Sequence, residues 1–208
     1  MTDDPEAPPT PEETLRLIEQ QQAATVRQLK GEPLLLYLPW GVAWLIGFGA
    51  IFLHFGLDGR GLAPISQMQA VGVLQGAQVL AGAFAGLGIA RQSRQVRGDT
   101  SARGAMIGYS WVAGMALMIV ICVRLTFALP REEEVQILWT GASLLVVGVM
   151  YMMTAAVFLE WPMFFLGAWT IAVNATGVML GAGWQSLLIA VLVGGGFIAA
   201  SLWLRRHG

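Results

Sequence analysis

Hydrophobic positions in this chain come in long blocks and not in alternation. Residues 34–55, 67–90, 105–129, 135–159, 163–181 and 186–204 form runs of 19 to 25 residues that are almost free of charge. A helix needs about 20 apolar residues to cross the hydrocarbon of a bilayer. A run that is apolar on every face does not suit a helix lying on the core of a water-soluble domain. The pattern therefore predicts an all-α, multi-pass membrane protein, a bundle of six transmembrane helices. The third run sets the frame for the others. Arg91, Arg94, Arg97 and Arg103 precede it, and Pro130 with Glu132, Glu133 and Glu134 follows.

The polar flank before these blocks reads differently. Residues 1–9 are acidic and proline-rich, lack the basic start of a signal peptide, and predict a disordered tail. Residues 10–31 predict an amphipathic helix on the cytoplasmic side. Thr10 and Glu13 have capping-box spacing, and Pro11 takes the first helical position. Leu15, Ile18, Val26 and Leu29 share one side, and Gly31 and Pro33 mark the stop. Ser66 and Gln69 repeat the capping box at the start of the second run. Residues 205–208 form a short tail.

Composition agrees with a bilayer as the solvent. The chain is 56% hydrophobic and 12% charged, against about 25% charged in an average soluble domain. Its formal net charge of -1 argues against nucleic acid as a partner. The lone cysteine, Cys122, excludes an intrachain disulfide. Many of the 26 glycines fall inside apolar runs, which suits close helix packing in lipid.

Lysine and arginine placement gives the expected orientation. With the amino terminus inside, nine basic residues are cytoplasmic and two, Arg60 and Arg131, lie outside. Both termini are thus expected in the cytoplasm, with the protein in the cell membrane and the arginine loop meeting anionic lipid headgroups. The acidic triplet is expected to complement the dipole of the fourth helix.

Polar groups inside the spans are the candidate site, because polarity there is costly. Gln75 and Gln78 are three apart and share a face of the second span. Arg124 lies towards the outer end of the third and is expected to pair with Asp58 or Glu132 to Glu134, or to reach the headgroups. Asn174 is near the middle of the fifth. Thr154 can bond to its own helix. These four residues, Gln75, Gln78, Arg124 and Asn174, are the candidate pathway or pocket.

Catalytic chemistry finds no footing. His54 and Asp58 are two candidate ligands where a metal needs three or four, and no nucleotide-binding, hydrolase or paired-cysteine motif occurs. No catalytic residue, metal site or cofactor is expected, and the chain is not expected to be an enzyme. The leading expectation is a membrane transporter or the membrane subunit of a transport system. The rival is a non-enzymatic assembly or regulatory protein that docks a partner through the amino-terminal helix. Expected partners are the lipid bilayer and a further protein or a second copy of the chain.

Overall fold

A computed structural model describes residues 10, 12–14, 16–17, 33–57, 59–93 and 99–207. The chain divides into two units, Met1–Gly31 and Glu32–Gly208. In the first, residues 12–14 and 16–17 are helical. The Thr10 N–H donates to Glu13 Oε2 at 2.8 Å and the Glu13 N–H donates to Thr10 Oγ1 at 3.2 Å, so two amides at the helix start are reciprocally capped. The tail 1–9 and the rest of the predicted helix 10–31 lie outside the described residues.

The second unit is helical: α1 (Pro33–Phe55), α2 (Gln67–Ser93), α3 (Asp99–Thr126), α4 (Glu132–Phe158) and α5 (Trp161–Leu180). The sixth crossing is composite, with α6 (Ala182–Leu188), a π-helical turn (Ile189–Gly194) and α7 (Gly195–His207). Six crossings are long and apolar enough to span a membrane. The protein is an all-α, multi-pass membrane protein, and its apolar outer surface meets the lipid bilayer.

Local chemistry sets the ends. Ser66 caps α2 as its spacing predicts, with Ser66 N–H to Gln69 Oε1 at 2.9 Å and Gln69 N–H to Ser66 Oγ at 3.2 Å. The third apolar run continues to Leu129, but α3 stops at Thr126. Leu129 precedes Pro130, and a residue before proline is pushed out of the helical region. The α5–α6 turn is a single residue, Gly181, at φ +103 and ψ 168. That backbone region is essentially restricted to glycine. It lets the sixth crossing begin at Ala182, four residues before the predicted Ser186.

Packing orders the helices. α1 lies against α2 on one side and against all three parts of the sixth crossing on the other. α4 lies along α5, α5 packs on α6 and the π-turn, and α3 packs on α4. α2 and α3 are therefore edge helices, each resting mainly on one neighbour. Lipid tails are as apolar as leucine, so close backbone approach takes over much of the cohesion that water would supply in a soluble protein. Two such approaches hold the centre. A Cβ on Gly41 would lie 2.8 Å from Gly194 O, and one on Gly167 would lie 2.7 Å from Gly148 O.

Aromatic rings fill the interior near the end of the bundle that carries Arg205. Phe197 is fully buried. Around it sit Trp44, Tyr151 and Tyr37, with ring centroids 4.9, 5.4 and 6.0 Å away. Trp111 of α3 meets Tyr151 edge-on at 6.0 Å. At the other end of the same interface, Trp139 Nε1 donates to Thr126 Oγ1 at 2.9 Å. These two contacts fasten α3 to α4.

Candidate functional site

Polar side chains inside the bundle gather between α4, α5 and α6. Asn174 Nδ2 donates to the Gly141 carbonyl at 2.9 Å, and Gln185 Nε2 donates to Asn174 Oδ1 at 3.1 Å. One amide thus links the backbone of α4 to the side chain of α6. Gln185 is fully buried, and its Oε1 has no partner. On α4, Gln136 Nε2 donates to Thr140 Oγ1 at 2.8 Å, and both residues are buried. Small residues make room for these amides: a Cβ on Gly177 would lie 2.7 Å from Gln185 Cα. Asn174 was legible as a candidate, while Gln136, Thr140 and Gln185 were not. Their signal was the four-residue spacing of Gln136 and Thr140 and a glutamine one turn past a glycine turn.

The acidic turn closes the same end of the bundle. Glu132, Glu133 and Glu134 form the first turn of α4, where negative charge complements the helix dipole. Glu133 Oε1 accepts the Ala182 N–H at 3.4 Å and so caps α6. Arg131 Nε donates to Glu134 Oε1 at 2.9 Å. Glu133 and Glu134 therefore have local partners of their own. The loop after α1 is tied down nearby, where His54 Nδ1 lies 2.9 Å from the Ile65 carbonyl. That acceptor requires a proton on Nδ1. Among the described residues no group of three or more His, Cys, Asp or Glu side chains could hold a metal.

Arg124 sits in the last turn of α3 and is exposed. The apolar part of α3 is centred near residue 114, so Arg124 lies about 15 Å from its middle at about 1.5 Å per residue, the half-thickness of the hydrocarbon. It makes no ion pair with Glu132, Glu133 or Glu134, and Asp58 lies outside the described residues. Thr154 departs from expectation: its Oγ1 is buried and unpartnered and does not bond to its own helix.

Gln75 and Gln78 lie elsewhere. Gln75 is exposed and Gln78 half-buried on α2, whose main packing partner is α1. Neither amide makes a hydrogen bond among the described residues. The apolar part of α2 runs from Gln67 to Gly88, and Gln75 falls about 4 Å from its middle. Beside Gln75 runs a stripe of exposed small residues, Gly72, Gly76, Val79, Ala83, Gly86 and Ala90. Among the described residues, a Cβ added at Gly72, Gly76 or Gly86 would meet nothing within 4 Å. Asn174 therefore belongs to a sealed interior network, and Gln75 to an open lateral face. A groove of about 620 Å³ between α5 and α7 is lined by Pro162, Phe165, Leu166, Trp169 and Ala200 among others. It is apolar and holds none of the four candidates.

No protein-family model, no curated protein and no solved structure matches this chain. The residues and the fold define the class, a multi-pass membrane protein.

Proposed function

We propose that this protein is a non-enzymatic membrane subunit that acts by lateral helix–helix assembly in the bilayer. One observation carries the reading: α2 presents a glutamine amide with no hydrogen bond among the described residues, beside a stripe of small residues on its outward face and near the middle of its apolar stretch. An amide without partners is costly in hydrocarbon. A partner helix seated on the small residues removes that cost, because it brings backbone and polar groups within reach. The amino-terminal helix remains a second contact for a cytoplasmic partner. Both termini are assigned to the cytoplasm, and the basic residues Arg91, Arg94, Arg97 and Arg103 to anionic headgroups, by the excess of basic residues on that side.

The test is extraction in a mild detergent followed by native mass spectrometry. The reading expects the chain in a complex larger than 22.3 kDa, and release from that complex by Gln75→Leu with Gly76→Ile. Recovery of a lipid-bound monomer alone, from gentle extraction at native expression, would sink it.

Transport is the second reading, with the chain as the transporter or as one membrane subunit of a larger system. It is supported by the buried polar groups of α4–α6, where Gln185 Oε1 lacks a partner. In this reading Asn174 and Gln185 contact the substrate. Its test is a ligand screen by thermal shift, in which a stabilising solute must lose its effect in Gln185→Leu.

A further inference from the structure

α5 and the sixth crossing start pinned together at Gly181 and then part. Beside that turn they meet at backbone distance, where a Cβ on Gly177 would lie 2.7 Å from Gln185 Cα. Halfway along, Trp169 Nε1 donates to the Leu192 carbonyl of the π-turn at 2.9 Å. Beyond that bond α5 touches α7 only slightly. The wedge between them is the apolar groove of about 620 Å³, with Pro162 and Phe165 at one end of its α5 wall, Trp169 and Ala172 at the other, and Ala200 across. That volume falls within the range of sites that hold a small ligand.

We propose that this groove holds one acyl chain of an anionic phospholipid, whose phosphate meets Arg205 and Arg206. The site lies on α5 and α7 and is independent of assembly through α2. Length is the first argument. Pro162 and Ala172 are ten residues apart, about 15 Å along a helix and so half the hydrocarbon thickness. Trp169 and Ala172 stand near the middle of the α5 span, and Pro162 at its end on the Arg205 side. The groove therefore opens at one membrane surface and stops at mid-depth. A crossing helix of another protein would need a seat twice as long, whereas an acyl chain of one leaflet has this length. The wall is the second argument. Trp169 is nearly half exposed, yet its ring N–H is spent on Leu192. The bond fixes the indole as an apolar wall, so a chain lying on it costs little side-chain ordering. The bond partner is a π-turn, an element found frequently at functional sites. Charge at the mouth is the third. Arg205 and Arg206 are exposed on the two flanks of α7, five and six residues past Ala200, or about 8–9 Å further towards the headgroups. Exposed Trp161 and Trp203 mark the same level. Glu160 is half-buried, and its charge acts on Tyr37 of α1. An apolar slot one leaflet deep beneath two guanidiniums thus complements a lipid with a negative head.

The experiment titrates the delipidated full chain, in mild detergent, with phosphatidylglycerol or with phosphatidylcholine of the same acyl chains, and counts adducts by native mass spectrometry. One phosphatidylglycerol should bind ahead of all others, about twenty-fivefold more tightly than phosphatidylcholine, or about fivefold for each arginine. Arg205→Gln with Arg206→Gln should remove that preference. Ala172→Phe, at an exposed position inside the groove, should abolish the first site for both lipids. Val112→Phe, at an exposed position of α3, should change neither. A photo-reactive phosphatidylglycerol in vesicles tests the wild-type chain without any variant. A diazirine close to its headgroup should label the segment around Pro162, and one at the end of its acyl chain the segment from Trp169 to Ala172. Labelling spread as densely over α3 and α4 as over α5 and α7 would overturn the site. Equal affinity for the two lipids in the wild type would overturn the anionic head. Ala172→Cys that joins two copies on oxidation, in a Cys122→Ala background, would give the groove to a second chain and overturn the lipid as its occupant.

Discussion

Gly167→Ala adds one methyl group where α5 crosses α4, and the structure gives its consequence in numbers. The new Cβ would lie 2.7 Å from Gly148 O, 2.9 Å from Met152 Cγ and 3.0 Å from Met152 N. A carbon meets a carbonyl oxygen comfortably at about 3.3 Å or more, so the helices must part by roughly 0.6 Å at the crossing. Two of the three obstructing atoms are backbone, which cannot rotate aside. Overpacking of this kind costs about 1–3 kcal/mol. The same substitution also gains up to about 1 kcal/mol of helix propensity, which would blur a comparison with wild type. Gly72→Ala on α2 cancels that gain, because its Cβ meets nothing within 4 Å. The difference between the two variants isolates the crossing and should be about 1–3 kcal/mol, with Gly167→Ala the less stable. Gly148→Ala should cost a similar amount, and the double variant less than the sum, because one separation relieves both contacts. Unfolding in mixed micelles by added sodium dodecyl sulfate, followed by tryptophan fluorescence at a dilution that keeps the chain monomeric, measures this. Equal stability of Gly167→Ala and Gly72→Ala would refute the backbone crossing of α4 and α5.

Asn174→Ala removes the acceptor of Gln185 Nε2 and the donor to Gly141 O together; the same unfolding assay should show a loss of about 1–3 kcal/mol from the groups left unpaired, and no loss would show the network to be idle. Gly181→Val forces a β-branched residue to φ +103 and carries its Cβ to 3.1 Å from Glu133 Oε1; it should cost at least about 1–3 kcal/mol, and a stable variant would contradict the one-residue turn. Arg124 makes no ion pair among the described residues, so Arg124→Leu should change stability by no more than about 0.5 kcal/mol; a loss of several kcal/mol would reveal an orphaned carboxylate and return the buried-pair expectation.

Much of the fold was legible because a bilayer imposes coarse rules. Runs of apolar residues fixed the number of crossings, since each backbone amide must be satisfied within its own helix. Both capping boxes were readable, because Thr10 with Glu13 and Ser66 with Gln69 bond over three residues. Helix partnership was harder. Gln75 and Asn174 are equally polar in sequence, yet one lies on an edge helix and the other between three helices, and no local pattern encodes that difference. The π-turn was also hidden. Its geometry depends on distant groups: Trp169 Nε1 donates to the Leu192 carbonyl at 2.9 Å, and Gly194 meets Gly41. Gln185 escaped notice because a glutamine near a helix start reads as an interfacial residue until α4 and α5 are seen to close over it.

The polar groups of the spans fall into a sealed network around Asn174 and Gln185 and an open lateral face on α2, and the proposed function rests on that face. It is tested most directly by a photo-reactive side chain placed in turn at each position from 72 to 84, with the chain in its native membrane and the adducts identified as protein or lipid. Protein adducts should recur at 72, 76, 79 and 83, and lipid adducts at 73, 80 and 84. Lipid adducts at 76 and 79 as abundant as those at 84 would mean that nothing covers the face, and would contradict assembly through α2.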